Sequence, residues 1–307
     1  MKFNDPEIIK ELTREWQGER FPDGRPKVPD NLLHRLSSMT TEEIYIALVN
    51  KGYKLQFEGA LKTVHPGKRL IGRAVTAVMI PSRPDVHMAL LEFGRKAEHR
   101  NGFFNQWVLE TLVERDVLVV DMCDQILYGT YVGGNLSTVI QERTKTGGAV
   151  VWGGIRDLEQ IVKIPDIQVF YRGSHPSPIG DVMMTGMNVP TRIGHAVCLP
   201  GDVVVGTISG VIFIPAHLAE YVASTAEKAH LRDIFGFERL QTKTYTASQI
   251  DALVWTREMM EDFMAWIETS PQADNYRHLD WGEELALANQ AEEQNQAFNG
   301  LVTYKYS

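Results

Sequence analysis

Hydrophobic and polar positions change period along this chain, and the changes predict where sheet gives way to helix. Residues 6–17 carry Ile8, Ile9, Leu12 and Trp16 at helical spacing and predict a short amphipathic helix. FPDGRPKVPD, 21–30, reads as a Pro-rich linker or arm. Thr41-Glu42-Glu43 then opens a helical pattern that runs through Leu48 and ends at Gly52. The middle of the chain turns to short β-branched runs bounded by turn residues: LIGRAVTAVMIP (70–81), DVLVVDM (116–122), GAVVWGG (148–154) and IQVFYRG (167–173). Helical patterns stand between them near 84–98, 104–114 and 135–146. From 188 to 214 strand and turn signals alternate, which predicts an antiparallel meander. Helix follows from Ala216 to about Phe235. Another is expected from about Ala247 to Thr269, with Ile250, Leu253, Val254, Met260, Phe263, Met264 and Ile267 as its apolar positions. A third is expected from about Trp281 to Phe298. The class is α/β with a mixed sheet.

Composition narrows the classes of function. The 307 residues carry a formal charge of −8, which disfavours a nucleic-acid binder. The charge is uneven: from Asp251 onward there are 11 acids and 3 bases, while residues 1–250 hold 28 of each sign. This break predicts a boundary near 235–250. Three segments are expected: an N-terminal helix and Pro-rich arm (1–29), a core (30–235), and an acidic helical C-terminal extension (236–307). Cys123 and Cys198 make no disulfide framework and follow apolar strands, so both are expected to be buried small hydrophobes. The start MKFNDPEIIKELTREW lacks the apolar stretch of a signal peptide, and no run approaches the roughly 20 apolar residues of a membrane helix. The expectation is a soluble cytoplasmic protein with no membrane or nucleic-acid partner.

Candidate chemistry concentrates between 133 and 160. Gly133-Gly134 precede a helix, and a helix N-terminus offers free backbone N–H groups and a positive dipole end, suited to a carboxylate or phosphate. The same pair also fits a tight turn. Arg156-Asp157 follow the apolar strand and a second Gly pair. Arg can hold a planar carboxylate with two hydrogen bonds, and Asp can hold Mg2+. An ordinary surface ion pair fits that pattern too. His175, in the turn-rich RGSHPSPIG, is a candidate loop acid–base group or a plain exposed histidine. His87 and His99 have no partner at metal spacing and are read as structural. No HExxH, CxxC, GxSxG or Walker sequence is present.

AVVWGGIRDLEQI resembles the central motif of the RraA-like superfamily, which includes class II 4-hydroxy-4-methyl-2-oxoglutarate aldolases and the regulator of ribonuclease activity A. LIGRAVTAVMIPSRP, DVLVVD, Arg172-Gly173 and NVPTRIGHAVCLPGDVVVGTISGVIFIP resemble its flanking segments, so the likeness runs from about 30 to 235. HLRDIFGFERL and TASQID resemble a longer-tailed branch. The resemblance implies a swivelling β/β/α-type core with a mixed sheet, assembled as a homotrimer or a dimer of trimers with sites between subunits. It implies that Arg156 binds a 2-oxo acid and that Asp157 is the direct protein ligand to Mg2+ or Mn2+. Gly134, Asn135 and Leu136 would bind substrate through the helix N-terminus. Twenty-one residues separate Gly134 from Arg156, one more than the aldolase motif has. The motif's second acid is Gln160 here, with Glu159 one place early, and the carboxylate beside the loop glycine is Asn135. These departures bear on proton transfer more than on anchoring. An acid from a neighbouring subunit's C-terminal segment is also implied, with Glu227, Asp233 and Glu238 as candidates. Each also fits a solvated helix face.

The activity so implied is a divalent-metal-dependent carbon–carbon lyase on a 2-oxo acid. It would be a pyruvate-type aldolase or an oxaloacetate-type decarboxylase, and a sugar-acid-derived substrate fits as well. A metal-dependent hydroxy-acid dehydratase or hydratase, and a non-enzymatic regulator that binds a protein partner, are the rival readings.

Overall fold

The computed structural model describes residues 2–293. The chain divides into two compact units, Met1–Ala223 and Ser224–Ser307. The division falls before the change in composition, because Phe235, fully buried, belongs to the second unit's core.

The first unit begins with α1 (Pro6–Leu12), α2 (Asp30–Leu36) and α3 (Thr41–Asn50). α1 is shorter than the periodicity predicts: only Ile9 is buried, and Ile8 is 56% exposed. Without more apolar contact a helix of this length is marginal. α3 starts where the sequence places it, through a reciprocal cap between Thr40 and Glu43. The Pro-rich stretch between α1 and α2 is built into the core rather than strung across solvent. Arg25 is buried and makes two bonds to the buried Asp116 carboxylate, at 2.9 and 3.1 Å, and one to Asp23 at 2.7 Å. Removing one partner of such a buried pair costs about 3–5 kcal/mol, so the arm is part of the folded unit.

The sheet strands are β1 (Phe57–Glu58), β2 (Lys62–Thr63), β3 (Leu70–Pro81), β4 (Asp116–Asp121), β5 (Thr130–Val132), β6 (Gly148–Ile155), β7 (Gln168–Ser174), β8 (Val182–Met187), β9 (Thr191–Ile193), β10 (Ala196–Cys198), β11 (Val203–Thr207) and β12 (Gly210–Ile214). One sheet runs in the order β1-β12-β11-β3-β4-β6-β7-β2. β3, β4, β6 and β7 are parallel neighbours, while β11, β12 and β8 join antiparallel. β9 and β10 form a separate hairpin. Helices α4 (Pro84–Ala97), α5 (Phe104–Leu109), α6 (Gly134–Thr144) and α7 (Leu158–Ile161) fill the connections. The parallel strands are buried on both faces, as their unbroken apolar runs require. Val75, Leu118, Val120 and Val151 pack in one core, and Val117, Val119, Val150 and Phe213 in the other. The methionine-rich β8 and helix α2 escape the sequence pattern.

In the second unit α8 (Ala219–Gln241) continues past Ser224 and is followed by α9 (Ala247–Ile250), α10 (Arg257–Thr269) and α11 (Gly282–Glu293). The expected single helix from 247 to 269 is broken at 251–256. Trp255 is buried there and donates to the Ile250 carbonyl at 2.9 Å, while Thr256 caps α10. Leu253, expected on the apolar face, is 77% exposed. Leu231, Phe235, Trp255, Phe263, Trp266 and Trp281 make this unit's core. The last part of the expected third helix, including Phe298, lies outside the described residues. Among those described, no helix is long and apolar enough to cross a membrane.

Candidate active site

The candidate site forms at the C-terminal end of β6. There β6 is flanked by β5 on one side and β7 on the other: Ile155 is in register with both Val132 and Ser174. Parallel sheets in α/β proteins commonly bind ligands at this edge. β5 leads directly to Gly133, the N-cap of α6, and Gly134, its first residue. β6 leads to Arg156 and Asp157. The Arg156 N–H donates to the Val132 carbonyl at 3.0 Å, which fixes the two segments side by side.

Asp157 and the glycine pair touch. The Gly134 N–H donates to Asp157 Oδ2 at 3.2 Å, and Arg156 Nε lies 3.8 Å from the same oxygen. A Cβ on Gly133 would fall 2.3 Å from Asp157 Oδ2 and 3.1 Å from Arg156 Nε, so glycine is needed for this approach. A Cβ on Gly134 would fall 2.2 Å from Gln160 Oε1. Gln160, which occupies the aldolase motif's second acid position, therefore lies across the loop glycine. The Asn135 and Leu136 N–H groups follow at the helix start and meet no partner among the described residues. Asn135 is exposed and Leu136 half-buried.

The backbone is strained here. Asp157 has φ 56°, in the left-handed region that costs non-glycine residues energy. Cys123 (52°) and Asp124 (58°), just beyond β4, and Tyr128 (54°), ahead of β5, share that conformation. Such residues persist where surrounding structure over-determines them, often at functional sites. Here the anchors are visible. Cys123 N–H bonds to Asp121, Asp124 pairs with Arg172 at 2.8 Å, and Tyr128 N–H bonds to Ser177 Oγ at 2.8 Å. Arg172 stacks over Trp152 at 4.5 Å, and its bond to Asp124 raises its pKa. Burial raises the Asp121 carboxyl, against the pull of the Cys123 N–H and Arg192. Cys123 is exposed, contrary to the expected buried thiol, because the left-handed turn carries it out of the strand. Cys198 is buried as expected.

His175 follows β7 directly. Its N–H donates to the Ile155 carbonyl at 3.0 Å, and its Nδ1 accepts from the Ser177 N–H at 3.1 Å. The side chain is half-buried. Sequence pattern did not single out Ser177 or Tyr128, whose role lies in bonds across 49 residues. Glu227, Asp233 and Glu238 lie in the second unit. Glu227 is buried, and Glu238 is committed to Arg239 at 2.7 Å and to the Trp266 indole N–H at 2.9 Å.

The donor set can be tested against a metal. Among the described residues, no three His, Cys, Asp or Glu side chains stand together as a ready ligand cage. That excludes a four-ligand zinc centre built from them. It fits Mg2+, which often takes one or two carboxylates and keeps several waters. Asp157 provides one half-exposed carboxylate whose Oδ1 has no partner among the described residues.

A family model described as RraA-like, Aldolase/RraA, matches residues 41–213. A Halalkalibacterium halodurans protein, provisionally named a 4-hydroxy-4-methyl-2-oxoglutarate aldolase, is 31% identical over 135 residues, 42% of this chain and 61% of that protein. Protein DlpA of Legionella pneumophila is 27% identical over 225 residues, 72% of this chain and 33% of that protein. The chain thus spans less than two thirds of either relative. Streptomyces coelicolor RraAS2, described as an unusual member of the RNase ES inhibitor RraA family, superposes with a TM-score of 0.60 at 23% identity, covering 69% of this chain and 100% of that one. An uncharacterized protein of Pseudomonas syringae gives 0.61 at 18%, covering 76% and 98%. At these identities the likeness speaks for the fold. By the match over more than half its length, the chain belongs to the RraA-like family.

Proposed function

We propose that this chain is a divalent-metal-dependent carbon–carbon lyase acting on a 2-oxo acid, held in the cytoplasm as a homotrimer or a dimer of trimers. The observation that carries the reading is the approach of Asp157 to the Gly133-Gly134 loop, with Arg156 on the same carboxylate. Arg156 would hold the substrate's planar carboxylate by two parallel hydrogen bonds. The free N–H groups of Asn135 and Leu136 would act as fixed donors to negative oxygen at the positive end of α6. Asp157 would anchor Mg2+ or Mn2+, which when bound supplies Lewis-acid stabilisation to the charge that develops on the keto oxygen. The left-handed turn at Asp157 and the Gly134 N–H hold that carboxylate in place.

Aldol cleavage also needs a base for the C4 hydroxyl proton, and neither Asn135 nor Gln160 can serve. Loss of carbon dioxide from an oxaloacetate-type acid reaches the same enolate without that base. The residues of this chain therefore favour decarboxylation over aldol cleavage. An acid from a neighbouring subunit, Glu227, Asp233 or Glu238, would restore the missing base. The test is a panel of oxaloacetate and 4-hydroxy-2-oxo acids, incubated with Mg2+ and with Mn2+ and followed by pyruvate release. Metal-dependent pyruvate from oxaloacetate, exceeding that from the hydroxy acids, is expected. No metal-dependent product from any member would sink the reading. A product that has lost only water would point to a dehydratase instead.

A further inference from the structure

The register across β5, β6 and β7 places a third residue beside the Gly133–Arg156 pair. Ile155 faces Val132 on one side and Ser174 on the other. The next residue of each segment is Gly133, Arg156 and His175. The bonding continues the same ladder: Arg156 N–H to the Val132 carbonyl, and His175 N–H to the Ile155 carbonyl, both 3.0 Å. Neighbouring strands lie about 4.8 Å apart, so these two bonds set the backbones of Gly133, Arg156 and His175 side by side. His175 therefore flanks Arg156 on the side away from Gly133.

The ring's orientation is also determined. Nδ1 accepts the Ser177 N–H at 3.1 Å, and a nitrogen that accepts a hydrogen bond cannot carry the proton. The neutral imidazole thus carries its hydrogen on Nε2, which meets no partner among the described residues. The loop that sets this tautomer is itself bolted across to the β5 side. Ser177 Oγ accepts from the Tyr128 N–H at 2.8 Å, and the Ser177 carbonyl accepts from the Thr130 hydroxyl at 2.6 Å. Ser177 is buried, and its bond to Thr130 is shielded from water.

We infer that His175 is a substrate-binding hydrogen-bond donor, presenting Nε2–H beside Arg156 to an oxygen of an anionic 2-oxo acid, rather than the acid–base group its loop position suggests. This rests on the lyase reading of the same site. In place of a base, the row Gly133–Arg156–His175 provides a close backbone, a guanidinium and a neutral N–H donor, a set suited to a planar carboxylate and its adjacent keto oxygen. No proton leaves His175 in this role.

The test compares wild type with His175→Gln, which keeps a non-titrating N–H donor, and His175→Leu, which keeps bulk without one. Oxalate, an anionic mimic of the enolate, is titrated by calorimetry into each protein loaded with Mn2+. His175→Gln is expected to stay within about threefold of wild type and His175→Leu to bind roughly ten- to hundredfold more weakly, the usual effect of losing a donor to a charged group. Mn2+ affinity measured without oxalate is expected to be the same in all three, which a merely structural role for the ring would not predict. Equal oxalate binding in all three proteins, or equal loss in both variants, overturns the donor assignment while leaving the lyase reading intact. A wild type that binds Mn2+ but no oxalate overturns both.

Discussion

Asp157 combines two demands that sequence alone could not show together. It sits in the left-handed region, which favours glycine, and one carboxylate oxygen accepts a main-chain N–H while the other stays without a partner among the described residues. The Arg-Asp order was legible as a motif. The touch on Gly133 was not, because it depends on β5 and β6 lying level, a long-range fact. His175 was legible only as a loop histidine, and its Ser177 bond changes the chemistry assigned to it. Outside the site, Asp202 offers a residue-scale prediction. Its carboxyl is fully buried and pushed up to about 8, chiefly by burial and against the N–H groups of Leu199 and Ala216. Between the ordinary carboxyl value, 3.8, and that level the folded chain holds a proton that the unfolded chain has released. Stability therefore falls as pH rises through this window. Asp202→Asn keeps an acceptor oxygen and removes the titration, so melting temperatures from pH 5 to pH 8 should slope less steeply than in wild type. Parallel slopes would show that Asp202 does not titrate there.

Strands were the easiest elements to read from sequence. β3, β4, β6 and β7 are β-branched runs with clear turn boundaries, and burial on both faces makes them near-continuous apolar stretches. Helices were harder where tertiary contacts overrode periodicity: Trp255 interrupts one apolar stripe, and α1 ends once its apolar contacts run out. The two glycines at the start of α6 give an element-scale prediction that separates close approach from mere turn-making. Gly133→Ala drives a methyl into the Asp157 carboxylate and the Arg156 side chain, both held by the turn after β6. Gly134→Ala meets only the exposed Gln160: its amide end, 2.2 Å away, can swing aside, and its Cβ, 3.2 Å away, needs to give by only a few tenths of an ångström. Displacing catalytic groups by about 1 Å commonly costs on the order of a hundredfold. Turnover measured with saturating Mn2+ should therefore fall on the order of a hundredfold in Gly133→Ala and only a few-fold in Gly134→Ala. Equal losses would mean that the pair serves only to turn the chain.

At the scale of the whole molecule, the acidic excess and the fold tell one story. Residues 1–250 are formally neutral, and the charge of −8 lies in the residues that follow. The first unit, with 24 bases and 25 acids over residues 1–223, is close to neutral, so a divalent cation bound there would let it accept an anionic substrate without a basic surface. The second unit holds its own aromatic core, and its acids from Asp251 to Glu284 are exposed or half-buried. Light scattering is expected to give a trimer or hexamer of the 34.7 kDa chain, and a lone monomer would contradict the shared-site proposal. The central claim remains that Asp157 anchors a catalytic divalent cation. Its most direct test is calorimetric titration of Mn2+ into wild type and Asp157→Asn, with pyruvate release from oxaloacetate measured on the same samples. Binding and turnover in wild type, both lost together in a variant that melts at the same temperature, is the predicted result. A variant that still binds Mn2+ and turns over like wild type would contradict the claim.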